Sequence, residues 1–159
     1  MQPSWIAEYK ADTIYQYRSQ KEMADNALAH CDDRAFFARL RADGDEHTNS
    51  IAILVKHIGG NLRSRWTDFL TSDGEKPDRQ REREFVDEQA DSREAIMQRW
   101  EAGWKVALAT LESLNEQDFA TMVSIRGESL SVIQAIQRNL LHTAHHVGQI
   151  DLMATVLKP

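Results

Sequence analysis

Three histidines have the spacing of a metal site. His142 and His146 lie one helical turn apart in the segment NLLHTAHHVGQIDLM, and His57 lies earlier in the chain, in SIAILVKHIGGNLRSRW. Residues i and i+4 of an α-helix share a face, with Cβ atoms roughly 5 to 6 Å apart, so two imidazoles can bind one ion at about 2.0 to 2.1 Å each. The spacing therefore predicts a divalent metal site built from His57, His142 and His146.

A helical wheel of about 100° per residue indicates where the two later histidines point. Four polar residues share one face and form a polar seam: Asn139, His142, His146 and Gln149. Apolar residues border this seam on both sides. One flank consists of Ile136, Val147 and Ile150, and the other consists of Leu141, Leu152 and Val156. We therefore expect the seam to face the interior, where a polar group without a partner costs roughly 2 to 7 kcal/mol.

The helix around His57 has a similar pattern. Its face also carries polar residues next to an apolar stripe, namely Ser50, Asn61, Ser64 and Asp68. Other polar residues of this helix point elsewhere, namely Lys56, Arg63 and Thr67. Two polar faces of this kind predict one shared polar cavity. The alternative is that His57 is an ordinary core histidine, hydrogen-bonded to a neighbour.

Three neutral imidazoles suit zinc or nickel, and three protein ligands leave a position open for water or substrate. The motif differs from the His-Glu-x-x-His motif of zinc proteases, because Thr143 stands where the catalytic glutamate would be. Peptide hydrolysis by that route is therefore disfavoured. The remaining histidines are expected to take no part in metal binding: His30, His47 and His145.

Further polar side chains are candidates for positions beside the metal. Asn61, Gln149 and Asp68 lie on the two histidine faces and could support the ligands, and Asn61 and Gln149 are also predicted to bind substrate. Arg138 precedes His142 by one turn and could hold a substrate carboxylate through two parallel hydrogen bonds. A salt bridge or a surface position is the alternative for Arg138. Arg126 is a weaker candidate for the same role.

Long stretches without proline indicate an all-α chain, which we expect to form a single domain over residues 1–159. The apolar pattern predicts four main helices, over residues 5–29, 50–70, 92–114 and 131–157, and a short helical turn over residues 33–40. Asp33 is the predicted N-cap of that turn. Ser92 and Ser131 are the predicted N-caps of the last two helices, and Ser131 forms a capping box with Gln134.

The sequence does not determine the structure of two connections between helices. The polar stretch 73–91 is longer than most helix–helix loops, which indicates either a functional loop or a crossover along a bundle. The segment TMVSIRGESLS alternates β-branched and polar residues around Arg126 and Gly127, which fits either a short hairpin or an extended loop. The turn-rich segment RADGDEHTN precedes the helix of His57.

Composition argues against several classes of function. The 25 acidic and 19 basic residues give a net charge of −6, which is unlike the basic face of a nucleic-acid-binding protein. The longest apolar run, residues 51–55, is far shorter than the roughly 20 residues that span a bilayer, and the N-terminus has no signal-peptide pattern. The single cysteine, Cys31, fits a reducing compartment, and no motif supports a catalytic role for it. We expect a soluble, cytoplasmic protein with no nucleic-acid or membrane partner.

The histidine of the second helix, His57, followed by HTAHHVGQ in the last helix, resembles the DinB/YfiT-like superfamily. The resemblance covers essentially the whole chain. The strings SIAILVKHIGGNLRSRWTDFLTSDGEKPDR and SIRGESLSVIQAIQRNLLHTAHHVGQI are similar to a branch of small bacterial proteins catalogued only as a domain of unknown function. The resemblance implies an up-down-down-up four-helix bundle, commonly a homodimer, with His57, His142 and His146 as metal ligands.

Some members of that superfamily transfer low-molecular-weight thiols, and others are described as metal-dependent hydrolases. One hypothesis is therefore an enzyme whose bound ion activates a thiol or a water for attack on a small-molecule substrate. The alternative is a non-catalytic, metal-stabilised dimeric bundle that acts as a stress or interaction protein. Thiol-dependent turnover would favour the enzyme, and a metal that only raises the melting temperature would favour the alternative.

Overall fold

A computed structural model describes residues 4–40, 48–86, 88–89 and 91–158 of the chain. This part is mostly helical, with α1 (Trp5–Ala29), α2 (Asp33–Phe37), α3 (Ile51–Trp66), α4 (Arg93–Ser113) and α5 (Val132–Val156). It also contains a two-stranded sheet, β1 (Met122–Ile125) and β2 (Glu128–Ser131), and two short 3-10 helices, Arg81–Phe85 and Asp118–Ala120. The all-α prediction is therefore correct for the helices but omits the sheet. None of the described helices is long and apolar enough to cross a membrane.

Serine side chains cap the four long helices. The hydroxyl oxygens of Ser4, Ser50, Ser92 and Ser131 each accept a hydrogen bond from the backbone N–H three residues later. Each cap satisfies one of the first N–H groups of a helix and contributes about 1 kcal/mol. The predicted capping box is present, because the N–H of Ser131 also donates to Oε1 of Gln134.

Three predicted helix boundaries are wrong, and one of them is the end of α2, which lies at Phe37 and not at residue 40. The short helix α2 is capped by Asp32, which accepts from the N–H of Ala35, and not by Asp33. Helix α3 ends at Trp66, before the predicted end at residue 70. Asp68 has a φ of 47°, and its carbonyl oxygen accepts hydrogen bonds from the two backbone N–H groups at positions 71 and 72. The chain turns at Asp68 because this local hydrogen bonding replaces the helical pattern.

The four long helices pack as a bundle-like core. Helix α1 packs against α4 and α5, and α3 packs against the same two helices. Helices α3 and α4 approach closely at Gly59 and Gly103, where a Cβ on Gly103 would collide with the carbonyl oxygen of Gly59. Most residues of α3 are buried, so α3 is the central helix of the core. His57 therefore lies in a densely packed part of the fold.

The segment TMVSIRGESLS forms a hairpin and not an extended loop. Its strands pair antiparallel, and Arg126 and Gly127 form a two-residue turn with φ values of 56° and 76°, as such a turn requires. The carboxylate of Asp73 accepts hydrogen bonds from the Ser124 hydroxyl and from the N–H groups of Arg126 and Gly127. These hydrogen bonds, led by that from Ser124, hold the pKa of Asp73 well below its ordinary value. They fasten the hairpin to the connection that follows α3.

Helix α5 turns its polar seam inward, but only one of the two predicted apolar flanks is buried. The buried flank is the expected one: Ile136, Val147 and Ile150. The other flank, Leu141, Leu152 and Val156, is 72%, 61% and 59% exposed. A helical wheel gives the angle between side chains but not how far the neighbouring helices extend around them. Helices α1 and α3, which pack on α5, leave the second flank uncovered.

Candidate metal centre

Three histidines from two helices meet at one point. His57 from α3 and His142 and His146 from α5 each offer a ring nitrogen, and these nitrogens lie within 4.8 Å of one another. The Nε2 atoms of His57 and His142 are 3.0 Å apart. His57 is buried, and the other two are half-buried. The structure brings together all three predicted ligand residues, and no other described cysteine, histidine or acidic residue joins the group.

Hydrogen bonds to Nδ1 orient two of the three rings. Oε2 of Glu84 lies 2.9 Å from Nδ1 of His57, and Oε1 of Gln149 lies 2.7 Å from Nδ1 of His146. A ring whose Nδ1–H donates to such an oxygen has its Nε2 available as a ligand, and this arrangement is usual at protein metal sites. Gln149, a candidate from the sequence, thus contacts a ligand residue. Glu84 is not among the sequence candidates.

A buried ion pair holds Glu84 in place. Nε and Nη2 of Arg79 donate to the two carboxylate oxygens of Glu84 at 2.8 and 2.7 Å. The side chains of Arg79 and Glu84 are only 5% and 11% exposed. Gly60 of α3 leaves room for the carboxylate, because a Cβ at this position would overlap Oε1 of Glu84. The support of His57 therefore depends on a glycine on its own helix.

The long connection between α3 and α4 supplies Arg79 and Glu84. Its 3-10 helix lies against α3, and the ring of Phe85 packs on the ring of His57 with centroids 4.6 Å apart. Lys56, which the wheel places off the polar face, is buried, and its Nζ lies 2.5 Å from the carboxylate of Asp91. This ion pair fixes the far end of the connection to α3. The described part of the connection therefore packs on α3 and places Glu84 beside the three histidines.

Burial keeps two of the histidines neutral. It lowers the pKa of His142 from 6.5 to about 3, and the neighbouring His146 and His57 add to this effect. Burial also lowers the pKa of His146. For Glu84, burial alone would raise the pKa, but hydrogen bonds from Arg79 and His57 lower it below its ordinary value. At neutral pH His142 and His146 are therefore neutral, the form that binds metal, and Glu84 is ionised.

One ring nitrogen in the cluster lacks a partner. Nδ1 of His142 is buried, and it has no hydrogen bond to any residue in the described part of the chain. Nε2 of His142 faces Nε2 of His57, and only one of two neutral rings that meet in this way can carry a proton there. A buried polar atom without a partner costs about 1 to 3 kcal/mol. The described residues leave this nitrogen unpaired, and the three imidazoles lie close enough together to fit one divalent ion.

A second polar cluster, the asparagine network, lies one turn away on α5. Oδ1 of Asn139 accepts from the Tyr17 hydroxyl at 2.9 Å and from the Trp66 indole N–H at 3.0 Å, and Nδ2 of Asn139 donates to Asn61 at 2.7 Å. All four side chains are buried. Asn61, which the sequence assigns to substrate binding, therefore belongs to a structural network as well as to the cavity beside it.

A cavity of about 220 Å³ opens beside His57 and His142. Its wall includes Asn61, Asn139 and five arginines, which are Arg65, Arg79, Arg81, Arg126 and Arg138. Arg138 lines the cavity as the sequence predicts, but its side chain is 57% exposed and donates to Glu128 at 2.8 Å. The salt bridge named as the alternative for Arg138 is therefore present, and the binding of a substrate carboxylate by Arg138 stays a prediction.

Several candidates from the sequence lie elsewhere or are not described. Asp68 is exposed beyond the end of α3 and does not support a ligand histidine. His30 and His145 are exposed and stand outside the three-histidine group, as expected. Cys31 is buried, and burial raises the pKa of its thiol, which suits no nucleophile. His47 and the segment 41–47 around it lie outside the described residues.

The functional residues that sequence reasoning missed are Arg79, Glu84 and Phe85, all in the long connection. This stretch carries many acidic and basic residues without helical spacing, so no pattern singles out one glutamate. A signal was present in the pair Gly59 and Gly60, because glycine inside a helix costs about 1 kcal/mol relative to alanine and so indicates a close approach.

Comparison with known proteins adds a family but no activity. The profile of one family matches the chain over residues 4–159, and that family is described as a protein of unknown function, DUF1572. No curated protein and no solved structure gives a significant match. The matched range includes every residue of the three-histidine cluster and of the cavity beside it.

Proposed function

We propose that this chain, which belongs to the DUF1572 family, is a metal-dependent enzyme. A divalent ion held by His57, His142 and His146 would activate a thiol or a water for attack on a small-molecule substrate, in a thiol-transfer or hydrolysis reaction. The observation that carries the proposal is the convergence of three ring nitrogens within 4.8 Å of one another, beside a polar cavity.

The donor set supports zinc or nickel. Imidazole nitrogens suit these ions, whereas calcium and magnesium prefer oxygen ligands. When bound, such an ion lowers the pKa of a coordinated thiol or water and so supplies a nucleophile near neutral pH. The protein contributes the orientation of the rings, because Glu84 holds His57 and Gln149 holds His146.

The surroundings favour a thiol over water as the nucleophile. Among the described residues, none that lines the cavity is a carboxylate. Glu84 uses both of its oxygens for Arg79 and His57, and Thr143, which stands in the place of a catalytic glutamate, is fully buried. A divalent ion deprotonates a bound thiol completely, whereas it lowers the pKa of a bound water only to about 7, so a water nucleophile gains more from a neighbouring base. We therefore propose a low-molecular-weight thiol as one reactant.

A non-catalytic role is the second candidate. In that case the ion would only stabilise a bundle that acts as a stress or interaction protein. The absence of a free carboxylate from the cavity wall, within the described residues, also favours this candidate, since such a site can hold an ion without promoting hydrolysis. The two candidates differ in whether a small molecule reaches the ion and reacts.

We also propose membership of the DinB/YfiT-like superfamily, with the up-down-down-up order of four long helices. Its support is the placement of one histidine on α3 and two on α5, within a bundle in which α1 and α3 each pack on α4 and α5. A homodimer is a proposal from the same resemblance, and a cytoplasmic location is a proposal from the composition of the chain. Sedimentation velocity of purified protein measures the first, and a monomer at every concentration would contradict it.

Cobalt substitution tests the proposed activity. The visible spectrum of Co²⁺ reports sulfur coordination, and we expect a thiolate band with at least one small thiol, together with thiol-dependent consumption of an electrophile. The variant His146→Ala should lose both signals. The matched control His145→Ala removes the exposed neighbouring histidine and should behave like the unmodified protein. Metal that raises the melting temperature without a thiolate band or turnover would instead establish the non-catalytic role.

A further inference from the structure

Five arginines line one small cavity beside the histidines, which are Arg65, Arg79, Arg81, Arg126 and Arg138. Two of them are largely withdrawn from solvent, since the side chains of Arg65 and Arg79 are 12% and 5% exposed. A buried guanidinium is costly unless negative charge and hydrogen-bond acceptors accompany it. The guanidinium groups of this wall therefore need hydrogen-bond acceptors.

Three of the five arginines, the two buried ones and the exposed Arg126, pair with the same two glutamates. Glu75 accepts from Arg65, Arg79 and Arg126, and Glu84 accepts from Arg79 and from a ligand histidine. Neither glutamate lines the cavity. Three arginines thus share two carboxylates that stand behind them. The cavity wall is basic although the whole chain has a net charge of −6.

Several donors in the wall have no acceptor within the described part of the chain. The side chain of Arg126 donates through Nε to Glu75, and neither of its terminal NH₂ groups donates to a described residue. Arg138 donates only through Nη1, to Glu128. Oδ1 of Asn61 accepts from the asparagine network, which leaves its Nδ2 group as a further donor. Guanidinium and amide N–H groups that converge in this way suit the oxygens of a carboxylate or a phosphate.

We propose that this cavity binds an oxyanion group, a carboxylate or a phosphate, of the substrate. The inference rests on the proposed function, because His57 and His142 line the same cavity and one small molecule can reach the metal ligands and the arginines together. The volume of about 220 Å³ is below the roughly 300 to 1,000 Å³ of most ligand pockets. The cavity therefore suits a short anionic molecule and not a bulky apolar one.

Anion titration of the full-length, metal-loaded protein tests this proposal. The probes are inorganic phosphate and succinate, titrated calorimetrically at constant ionic strength, and we expect one saturable site per chain for the better probe. Arg126→Gln and Arg138→Gln should each weaken that probe about tenfold or more, which is the loss expected for a hydrogen bond to a charged group. Both side chains are more than half exposed, so their replacement leaves the core intact. The matched control is Arg63→Gln, which alters an arginine of α3 that is 69% exposed and outside the cavity wall.

The outcomes separate this inference from the proposed function. Saturable binding that weakens in Arg126→Gln and Arg138→Gln but not in Arg63→Gln supports the inference, and a preference for phosphate or succinate names the group. No saturable binding of either probe, or equal affinity in all three variants, overturns it. Metal content is measured in parallel. If the protein contains no metal but binds the anion through Arg126, the anion site is supported and the proposed metal-dependent enzyme is contradicted. If the metal-loaded protein binds no anion, only the anion site is contradicted.

Discussion

Two buried polar clusters lie side by side where α3 meets α5, and they differ in how completely the protein satisfies them. In the asparagine network, both the oxygen and the nitrogen of the Asn139 amide are hydrogen-bonded within the protein. In the histidine cluster, Nδ1 of His142 has no partner among the described residues. Buried polar groups in a structural network pair with one another. In the histidine cluster, the described residues leave one ring nitrogen unpaired and bring three imidazoles close enough to share one ion.

The two clusters differ in the partners of their polar atoms and not in their position on the polar seam of α5. Asn139, His142 and His146 occupy the same seam of α5, and the helical wheel treats them alike. They differ because Asn139 meets hydroxyl and indole donors from α1 and α3, whereas the histidines meet a third histidine. Substitutions in the two clusters should therefore have different consequences, which the following experiments measure.

Removal of a ligand histidine should have the largest effect on metal binding. We expect His57→Ala, His142→Ala and His146→Ala each to weaken metal affinity by at least about a hundredfold, since even the loss of a supporting residue costs about 10- to 100-fold. Calorimetric competition with a chelator measures the affinity. The exposed residues His30 and His145 provide the alanine controls. Unchanged metal affinity in the three histidine variants would show that the histidine cluster, like the asparagine network, binds no metal.

Disruption of the asparagine network should reduce stability and spare the metal. Asn139→Ala leaves the buried Tyr17 hydroxyl and Trp66 N–H without their shared acceptor, and we expect the free energy of unfolding to fall by about 3 kcal/mol. Urea denaturation of the metal-free protein measures this loss. Asn26→Ala, at an exposed position of α1, is the control. A hundredfold loss of metal affinity in the folded Asn139→Ala protein would show that the two clusters are not separate.

Neutralisation of Glu84 should have an intermediate effect. Glu84→Gln keeps the size of the side chain but removes the negative charge of the carboxylate, which accepts hydrogen bonds from His57 and Arg79. We expect metal affinity to fall about 10- to 100-fold, as measured by the same competition assay. Glu82→Gln is a matched control on the same 3-10 helix, because its side chain is 90% exposed. An equal loss in both variants would mean that Glu84 acts only through the overall charge of the loop.

The smallest effect should be on the acid stability of the metal-free protein. Burial lowers the pKa of His142 from 6.5 to about 3 in the folded state, so between these values the unfolded chain binds more protons than the folded chain. The free energy of unfolding that this group contributes is therefore fully present above about pH 6.5 and is lost as the pH falls toward 3. His142→Gln should lose less stability than the unmodified protein between pH 7 and pH 5. Urea midpoints at the two pH values check this, and equal losses would contradict it.

Local patterns predicted the helices and the histidines well. The N-caps Ser92 and Ser131 and the inward face of α5 follow from residues only a few positions apart, so helical geometry alone determines them. The close approach of His142 and His146 follows in the same way from their spacing. Pairing these residues with His57 required a shared polar face on a second helix, which the wheel also identified.

Features that depend on chain packing could not be predicted in this way. The position of Glu84 depends on the path of a long, non-periodic connection, and the burial of Lys56 depends on Asp91, which lies far along the chain. The exposure of Leu141 and Leu152 depends on how far neighbouring helices extend around α5. The sheet was left open because a segment of four residues per strand carries too little pattern to separate a hairpin from a loop.

The central claim, that His57, His142 and His146 hold one divalent ion, is tested most directly by elemental analysis and X-ray absorption of the same purified sample. The account predicts about one zinc or nickel ion per chain with three imidazole nitrogens at about 2.0 to 2.1 Å. The signal should be absent from His142→Ala and unchanged in His145→Ala. Protein that binds no divalent ion when loaded at neutral pH, or an ion coordinated only by oxygen, would contradict the claim.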